Sequence, residues 1–375
     1  MSLLYFDHAA TTPVKDEVLQ EMLPYFTNNF GNPSSIYSIG RRSKKAVENA
    51  RTKVAKAIGC QEKEIYFTSC GSESDNLAVK GVAFANKNKG NHIITSKIEH
   101  PAILNTCKNL EENGFEVTYL NVDENGFIDL QELKNSIKPE TILISIMFAN
   151  NEIGTIQPIK EISKIAKDLE IIFHTDCVQA VGNVKIDVNK FGIDLLSMSA
   201  HKFYGPKGIG ALYVRNGIEF TRIQDGGHQE KNKRAGTENV AGIVGLGKAI
   251  EIADNNLENY NSKLLKLRNY FIREITSKYD NVKINGDLKQ RLPGNINISF
   301  PGIDAEELLL KLDNQGICAS AGSACSSGST QPSHVLTAIG LSEEYATGSL
   351  RITLGEENTI DDVKFLINCI EKILG

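Results

Sequence analysis

The sequence predicts an α/β protein, with a large domain built on a mostly parallel seven-stranded sheet flanked by helices and a smaller α+β domain after it. Three observations lead there. Short β runs alternate with amphipathic helical segments from Arg42 to Val214, the pattern of a parallel sheet covered on both faces. Runs such as Ile171-Ile172-Phe173 are apolar without alternation, as strands buried on both sides require. After about residue 260 the period changes, and strand candidates alternate polar and apolar residues.

Taken in order, Arg42 to Ile58 reads as a helix. Ala46, Val47, Ala50, Val54, Ala57 and Ile58 form one apolar stripe, and Gly59 is a stop just past its end. Ile65 to Thr68 is a β run that ends in Cys70-Gly71-Ser72-Glu73-Ser74, ahead of an amphipathic stretch through Leu77, Ala78, Val82 and Ala83. Strand, glycine turn and helix together make an anion-binding helix N-terminus. The other sheet strands are His92 to Thr95, Glu116 to Leu120, Thr141 to Ile146, Ile171 to His174, Leu195 to Met198 and Ile209 to Val214. Ile156 to Leu169 is a helix between two of them. A long helical pattern from Asn239 to Tyr279 bridges the two domains. Asn295 to Phe300 and Ser349 to Leu354 alternate as half-buried strands. Asp304 to Leu312 is a helix capped by Asp304, and Thr359 to Leu374 is a closing helix. The expected division is 15–258 for the large domain, and 1–14 with 259–375 for the small one. The small domain then carries a loop rich in Ser, Gly and Ala at about 319–331.

Composition narrows the function classes. With 375 residues, 41% apolar, the chain can bury two cores. Its 23% charged residues lie near the ordinary value of about 25%. The net charge of -5 argues against a primary role on nucleic acid or anionic membrane. The basic run Lys231-Asn232-Lys233-Arg234 reads as a solvated loop. The first residues, MSLLYFDHAATTP, do not read as a signal peptide, and no apolar run approaches the ~20 residues of a membrane helix. Seven cysteines (Cys60, Cys70, Cys107, Cys177, Cys318, Cys325 and Cys369) form no C-x-x-C pair. No metal site is expected, and reduced thiols in the cytoplasm fit best.

Two segments point to chemistry. Asp176 in His174-Thr175-Asp176-Cys177-Val178-Gln179 sits just past a buried strand, where a carboxylate is costly unless paired. Ser199-Ala200-His201-Lys202 also follows an apolar strand, and runs into the sharp turn Phe203-Tyr204-Gly205-Pro206-Lys207-Gly208. Groups at the carboxyl ends of sheet strands share the ligand crevice of open α/β sheets. A lysine in such a cleft can form a Schiff base with pyridoxal phosphate (PLP), and an acid can hold its ring nitrogen. Gly71, Ser72, Ser199 and His201 can give its phosphate donors. On spacing alone, Asp176 is equally a helix cap, Lys202 a surface lysine and His201 a structural hydrogen bonder.

The chain resembles the NifS/IscS-like cysteine desulfurases of the fold-type I PLP enzymes, and the resemblance runs over nearly its whole length. It rests on Tyr5-Phe6-Asp7-His8-Ala9-Ala10-Thr11-Thr12, Gly31-Asn32-Pro33-Ser34-Ser35, Ser72-Glu73-Ser74-Asp75-Asn76 and Glu99-His100. It continues through Asn150-Asn151-Glu152-Ile153-Gly154, Asp176 to Gln179, Ser199 to Gly210 and Arg234-Ala235-Gly236-Thr237-Glu238-Asn239. Gly322-Ser323-Ala324-Cys325 and Arg351-Ile352-Thr353-Leu354-Gly355 complete it. The resemblance implies that Lys202 carries PLP, Asp176 partners the pyridine nitrogen, and Gln179 touches the ring hydroxyl. His100 stacks on the ring and moves protons. Ser72, Ser199 and His201 hold the phosphate, and Thr237 reaches across from a second identical subunit. Asn151 and Arg351 face the substrate, Arg351 pairing with its α-carboxylate. Cys325 accepts sulfur from L-cysteine, which leaves as L-alanine, and passes it to an iron-sulfur scaffold protein or a tRNA thiolation acceptor. A selenocysteine lyase, another PLP aminotransferase-like enzyme and a non-catalytic sulfur-transfer scaffold are the competing readings.

From the residues alone, free cysteines are mostly small buried hydrophobes, and Cys325 stands out because it lies in the Ser/Gly-rich loop. Two positions depart from the family pattern. Cys70 replaces a usual glycine, which strains the chain if that position has a positive φ. Tyr37 stands where many relatives have histidine.

Overall fold

The computed structural model describes residues 3–321 and 332–375. The N-terminal strand β1 (Leu4–Tyr5) precedes the strands of the main sheet: β2 (Ile65–Thr68), β3 (His92–Ser96), β4 (Glu116–Leu120), β5 (Thr141–Ser145), β6 (Ile172–Asp176), β7 (Leu195–Ser199) and β8 (Gly210–Val214). Their order is β2-β8-β7-β6-β5-β3-β4. The strands from β7 to β4 run parallel, and β8 is antiparallel to both its neighbours. Helices pack on the sheet, so β3, β5, β7 and β8 are buried along their whole length. The mostly parallel seven-stranded sheet expected from the sequence is present. β6 and β7 each run past their apolar residues to a polar one, Asp176 and Ser199, at adjacent carboxyl ends.

The helix Ser38–Ile58 begins four residues before Arg42 and stops where Gly59 takes a φ of +73°. The long helix Val240–Thr276 serves two cores. Ile243, Leu246, Ala249 and Ile250 pack with Val47, Val54 and Phe203. Leu264, Leu267, Phe271 and Ile275 pack with Ile296, Ile298, Leu350 and Ile352.

A three-stranded sheet of order β12-β10-β9 forms the second core, from β9 (Lys283–Ile284), β10 (Asn295–Ser299) and β12 (Ser349–Thr353). β11 (Ile317–Cys318) pairs in parallel with β1. Asp304 caps the helix Ala305–Asp313 by accepting from the N–H groups of Glu306 and Glu307. One expectation is overturned. β10 and β12 are not half-buried, because every residue in them is buried. Their polar face meets protein instead of water: Asn297 Oδ1 accepts from Asn285 Nδ2 (2.7 Å) and Ser349 Oγ (2.9 Å). Asn295 and Asn297 donate to the carbonyl of Glu152, at 3.1 and 3.3 Å. Alternation marks two chemically different faces, and here the polar one docks on the segment that carries Asn151.

Among the described residues, no helix is long and apolar enough to cross a membrane, and no cluster of His, Cys, Asp and Glu could hold a metal ion.

Candidate active site

The site begins where β6 and β7 end. Asp176 closes β6, and its Oδ1 accepts the N–H of Val178 at 2.8 Å. Ser199 closes β7, and a single 3-10 turn, Ala200–Lys202, brings the Lys202 ammonium against the carbonyls of Ala9 and Ala10. The predicted sharp turn follows at once. Tyr204 holds a left-handed φ of +64°, a cost for a residue with a Cβ. Its N–H donates to Thr12 Oγ1 (2.8 Å), and its hydroxyl accepts from the N–H of Glu356 (2.6 Å). The turn that carries Lys202 is thus tied to both ends of the chain.

The helix Gly71–Ala85 points its first turn at the same place. A Cβ on Gly71 would sit 2.6 Å from Val178 Cγ2, so only glycine keeps this approach open. Cys70 just before it has a φ of -172°, ordinary extended backbone, so the condition for strain there, a positive φ, is not met. Glu73 braces the turn: it accepts the N–H of Ser69 at 2.6 Å and pairs with Arg234 at 2.8 Å. The basic run is therefore not simply solvated. Arg234 serves this brace, and the Lys231 and Lys233 ammonium groups lie over the rings of Tyr66 and Phe220. Tyr37 is exposed.

Burial sets the charges on this wall. Desolvation raises the Asp176 carboxyl, against the opposing pull of His100 and Lys202. Asp75, wholly buried, is pushed well above the usual carboxylate range, first by burial and then by the Asp176 charge. Glu99 is pushed up to about 8 by burial, although its Oε1 accepts from Ser96 Oγ (2.7 Å) and the N–H of Met147 (2.9 Å). Histidines move the other way: burial lowers His100, takes His174 to about 3, and takes His201 to about 4. His100 caps the helix Pro101–Glu112, with Nδ1 accepting the N–H of Ala102 at 3.1 Å. In that neutral ring Nε2 carries the proton.

The second sheet supplies the facing wall. Arg351, in the middle of β12, is 1% exposed. Its Nη2 pairs with Asp7 Oδ1 at 2.8 Å, and its Nη1 donates to the carbonyl of Asn151 at 3.3 Å. Ser320 exchanges two backbone hydrogen bonds with Arg351. Ser333 Oγ donates to Glu152 Oε2 at 2.5 Å, and His334 Nε2 lies 3.0 Å from the carbonyl oxygen of Glu99.

One cavity, with about 840 Å³ of empty space including its mouth, is lined by Gly71, Ser72, His100, Asn151, Asp176, Gln179, Ser199, His201, Lys202 and Arg351. Every expected site residue is there except two. Thr237 is exposed and does not line it, and Cys325 lies outside the described residues. Asp75 also lines the cavity. Neither Asp75, Asp7 nor Glu99 was singled out from the sequence; each sat inside a quoted motif, which was the only signal available. The residues fit PLP. Ser199 Oγ is buried with no hydrogen-bond partner among the described residues, a donor aimed at something absent from the protein itself. The N–H groups that open the Gly71–Ala85 helix and the Gly71 cradle suit a phosphate, and Asp176 is a buried acid that lines the same cavity as Lys202.

Comparison with known proteins agrees. The aminotransferase class-V family matches residues 4–366. A protein named cysteine desulfurase IscS from Clostridium botulinum (strain Hall) is 58% identical over 373 residues, which is 99% of this chain and 94% of the relative. A solved structure titled NifS-like protein superposes with a TM-score of 0.94 at 39% identity, covering 99% of both chains. Another, titled SspA in complex with cysteine, does so with a TM-score of 0.84 at 40% identity, over 95% of this chain and all (100%) of that one. On its match to the family over nearly its whole length, its identity to these relatives and its shared architecture, the chain belongs to the aminotransferase class-V family, among its NifS/IscS-like cysteine desulfurases.

Proposed function

We propose that this cavity holds PLP and removes sulfur from L-cysteine, giving L-alanine and a persulfide on Cys325. The observation that carries the reading is the convergence of Lys202, Asp176 and Arg351 on one cavity: an amine, a buried acid and a carboxylate receptor. That a similar structure is titled as a complex with cysteine supports the substrate.

When bound, the cofactor supplies an electron sink for the bonds of the amino-acid Cα. The protein's residues do the rest. Lys202 would anchor the cofactor and take the Cα proton of the substrate. The Asp176 carboxylate would hold the ring nitrogen, and a positive charge there would offset the burial of that acid. Gln179 serves the ring hydroxyl. Gly71, Ser72, Ser199 and His201 donate to the phosphate. Thr237, exposed and outside its own cavity, serves the phosphate site of a second identical subunit. Arg351 and Asn151 orient the α-carboxylate. His100, neutral with Nδ1 committed to the helix cap, holds or moves the proton at the substrate sulfur.

The Cys325 thiolate attacks that sulfur. An S–S bond forms, the Cβ–S bond breaks, and the carbon fragment takes up a proton and leaves as alanine. One thiol and one cysteine become one persulfide and one alanine. Of the described residues that flank the Cys325 segment, 322–331, Ser320 bonds to Arg351, and Ser333 and His334 to Glu152 and Glu99. We assign this segment to the smaller domain of residues 1–14 and 259–375. The persulfide then goes to an iron-sulfur scaffold protein or a tRNA thiolation acceptor. A net charge of -5 and six described cysteines that are all free thiols accord with a cytoplasmic enzyme that binds neither nucleic acid nor membrane directly.

The test uses Cys325→Ala and Lys202→Ala. Cys325→Ala should keep the visible absorbance of the lysine-bound cofactor yet form no sulfide from L-cysteine and a thiol reductant. Lys202→Ala should lose that absorbance, with activity down by roughly 10²–10⁴-fold or more. Full sulfide formation by Cys325→Ala would refute the sulfur-acceptor role and favour a lyase.

A further inference from the structure

The ion pair between Arg351 and Asp7 is unusual for a carboxylate receptor, because one carboxylate already occupies it. The backbone leaves Asp7 little choice. Asp7 forms a parallel bridge with Thr353, two residues beyond Arg351 on β12. The flanking bonds run from Thr353 N–H to the carbonyl of Phe6 (2.7 Å) and from Phe6 N–H to the carbonyl of Cys318 (2.8 Å). The Asp7 side chain is only 15% exposed, and its contact with Nη2 is 2.8 Å. A guanidinium has five N–H donors. The protein engages Nη2 and Nη1, and Nε has no partner among the described residues. Donors therefore remain for a ligand, but the charge they would use is already countered.

We infer that Asp7 is a positioning residue that fixes the Arg351 guanidinium and, through its own negative charge, holds down the affinity of the site for α-carboxylates. The inference rests on the reading of Arg351 as the receptor of the substrate carboxylate. Substrate and product carry the same carboxylate, so a receptor left with its full positive charge would hold alanine as tightly as it captures cysteine. Two carboxylates on one buried guanidinium repel each other, and the repulsion speeds product departure.

The sign of the effect separates this role from a merely structural one. Asp7→Asn keeps an oxygen acceptor for Nη2 and removes the charge. On the PLP-loaded enzyme, the dissociation constant for L-alanine, read from the change in cofactor absorbance, should fall about tenfold, which corresponds to about 1.4 kcal/mol. That for cysteamine, which has the amine and thiol but no carboxylate, should not move. KM for L-cysteine and kcat should fall together, as release becomes slower. Asp7→Ser, a second neutral variant, should also tighten alanine binding if Asp7→Asn does not fold. Alanine binding that is unchanged or weaker in the folded neutral variants overturns the proposal. Arg351→Gln separates the two readings: if it leaves alanine and cysteamine binding as in the wild type, it is the receptor role of Arg351 that fails.

Discussion

The two walls of the cavity handle charge in opposite ways. On the wall of the main sheet, burial pushes the ionisable groups toward their neutral forms. Asp75, Asp176 and Glu99 are raised, and His100, His174 and His201 are lowered. On the wall of the second sheet a buried arginine faces a carboxylate at 2.8 Å. Groups on both walls are largely buried, so burial alone does not explain the difference. Several of the main-sheet groups are met by hydroxyls and backbone amides as well as by one another. His174, for example, lies between Ser145 Oγ (2.8 Å) and Ser197 Oγ (3.0 Å). Such dipoles stabilise a neutral ring and leave room for a ligand to bring charge. A buried guanidinium needs an anion beside it. The chain supplies one in Asp7, and in the proposed function the substrate carboxylate would be a second. The contrast separates a wall suited to a bound cofactor from one suited to an arriving anion.

The contrast breaks most visibly at Arg351. Arg351→Ala removes the receptor and strands Asp7. We expect kcat/KM for L-cysteine to drop by roughly 10²-fold or more, and stability to denaturant to fall by roughly 3 kcal/mol. Arg351→Ala with near wild-type kcat/KM would make the pair purely structural.

A smaller effect is expected on the opposite wall. Gly71→Ala places a methyl 2.6 Å from Val178 Cγ2 and 3.5 Å from Ser199 Cβ. Val178 must give way, and the phosphate cradle with it. Affinity for PLP, measured by reconstitution of the apoenzyme, should weaken by about tenfold, or about 1.4 kcal/mol, while the KM for L-cysteine at saturating PLP changes little. Equal loss in both would mean the two walls are not independent.

Glu99→Gln probes the same wall through stability instead of binding. Glu99 rises to about 8 in the fold from an ordinary value of 4.5, so the folded chain keeps a proton that the unfolded chain releases. Its contribution is complete below about pH 4.5 and is lost as the pH rises through about 8. Glutamine is neutral throughout, and can keep the bonds from Ser96 and Met147. Urea denaturation should show Glu99→Gln gaining on the wild type as pH rises from about 5.5 to about 8, by at most about 1.4 kcal/mol per pH unit. Parallel pH profiles would mean that Glu99 is charged in the native state.

Much of this was legible in the sequence. The seven strands of the main sheet were readable because apolar runs and their period are local properties. β2 and β4 begin and end where those runs do. Lys202, Asp176 and the Gly71-Ser72 turn were legible as types of residue at strand ends, and the family resemblance assigned their roles. Tertiary structure decided what depends on distant chain. It buried the polar faces of β10 and β12 against Glu152. It set the Cys70 backbone extended, so the condition for strain there is not met. It also joined Asp7 to Arg351 across 344 residues of sequence. Side-chain type and spacing are written in neighbouring residues, whereas burial and electrostatic partners arise only from segments that meet on folding.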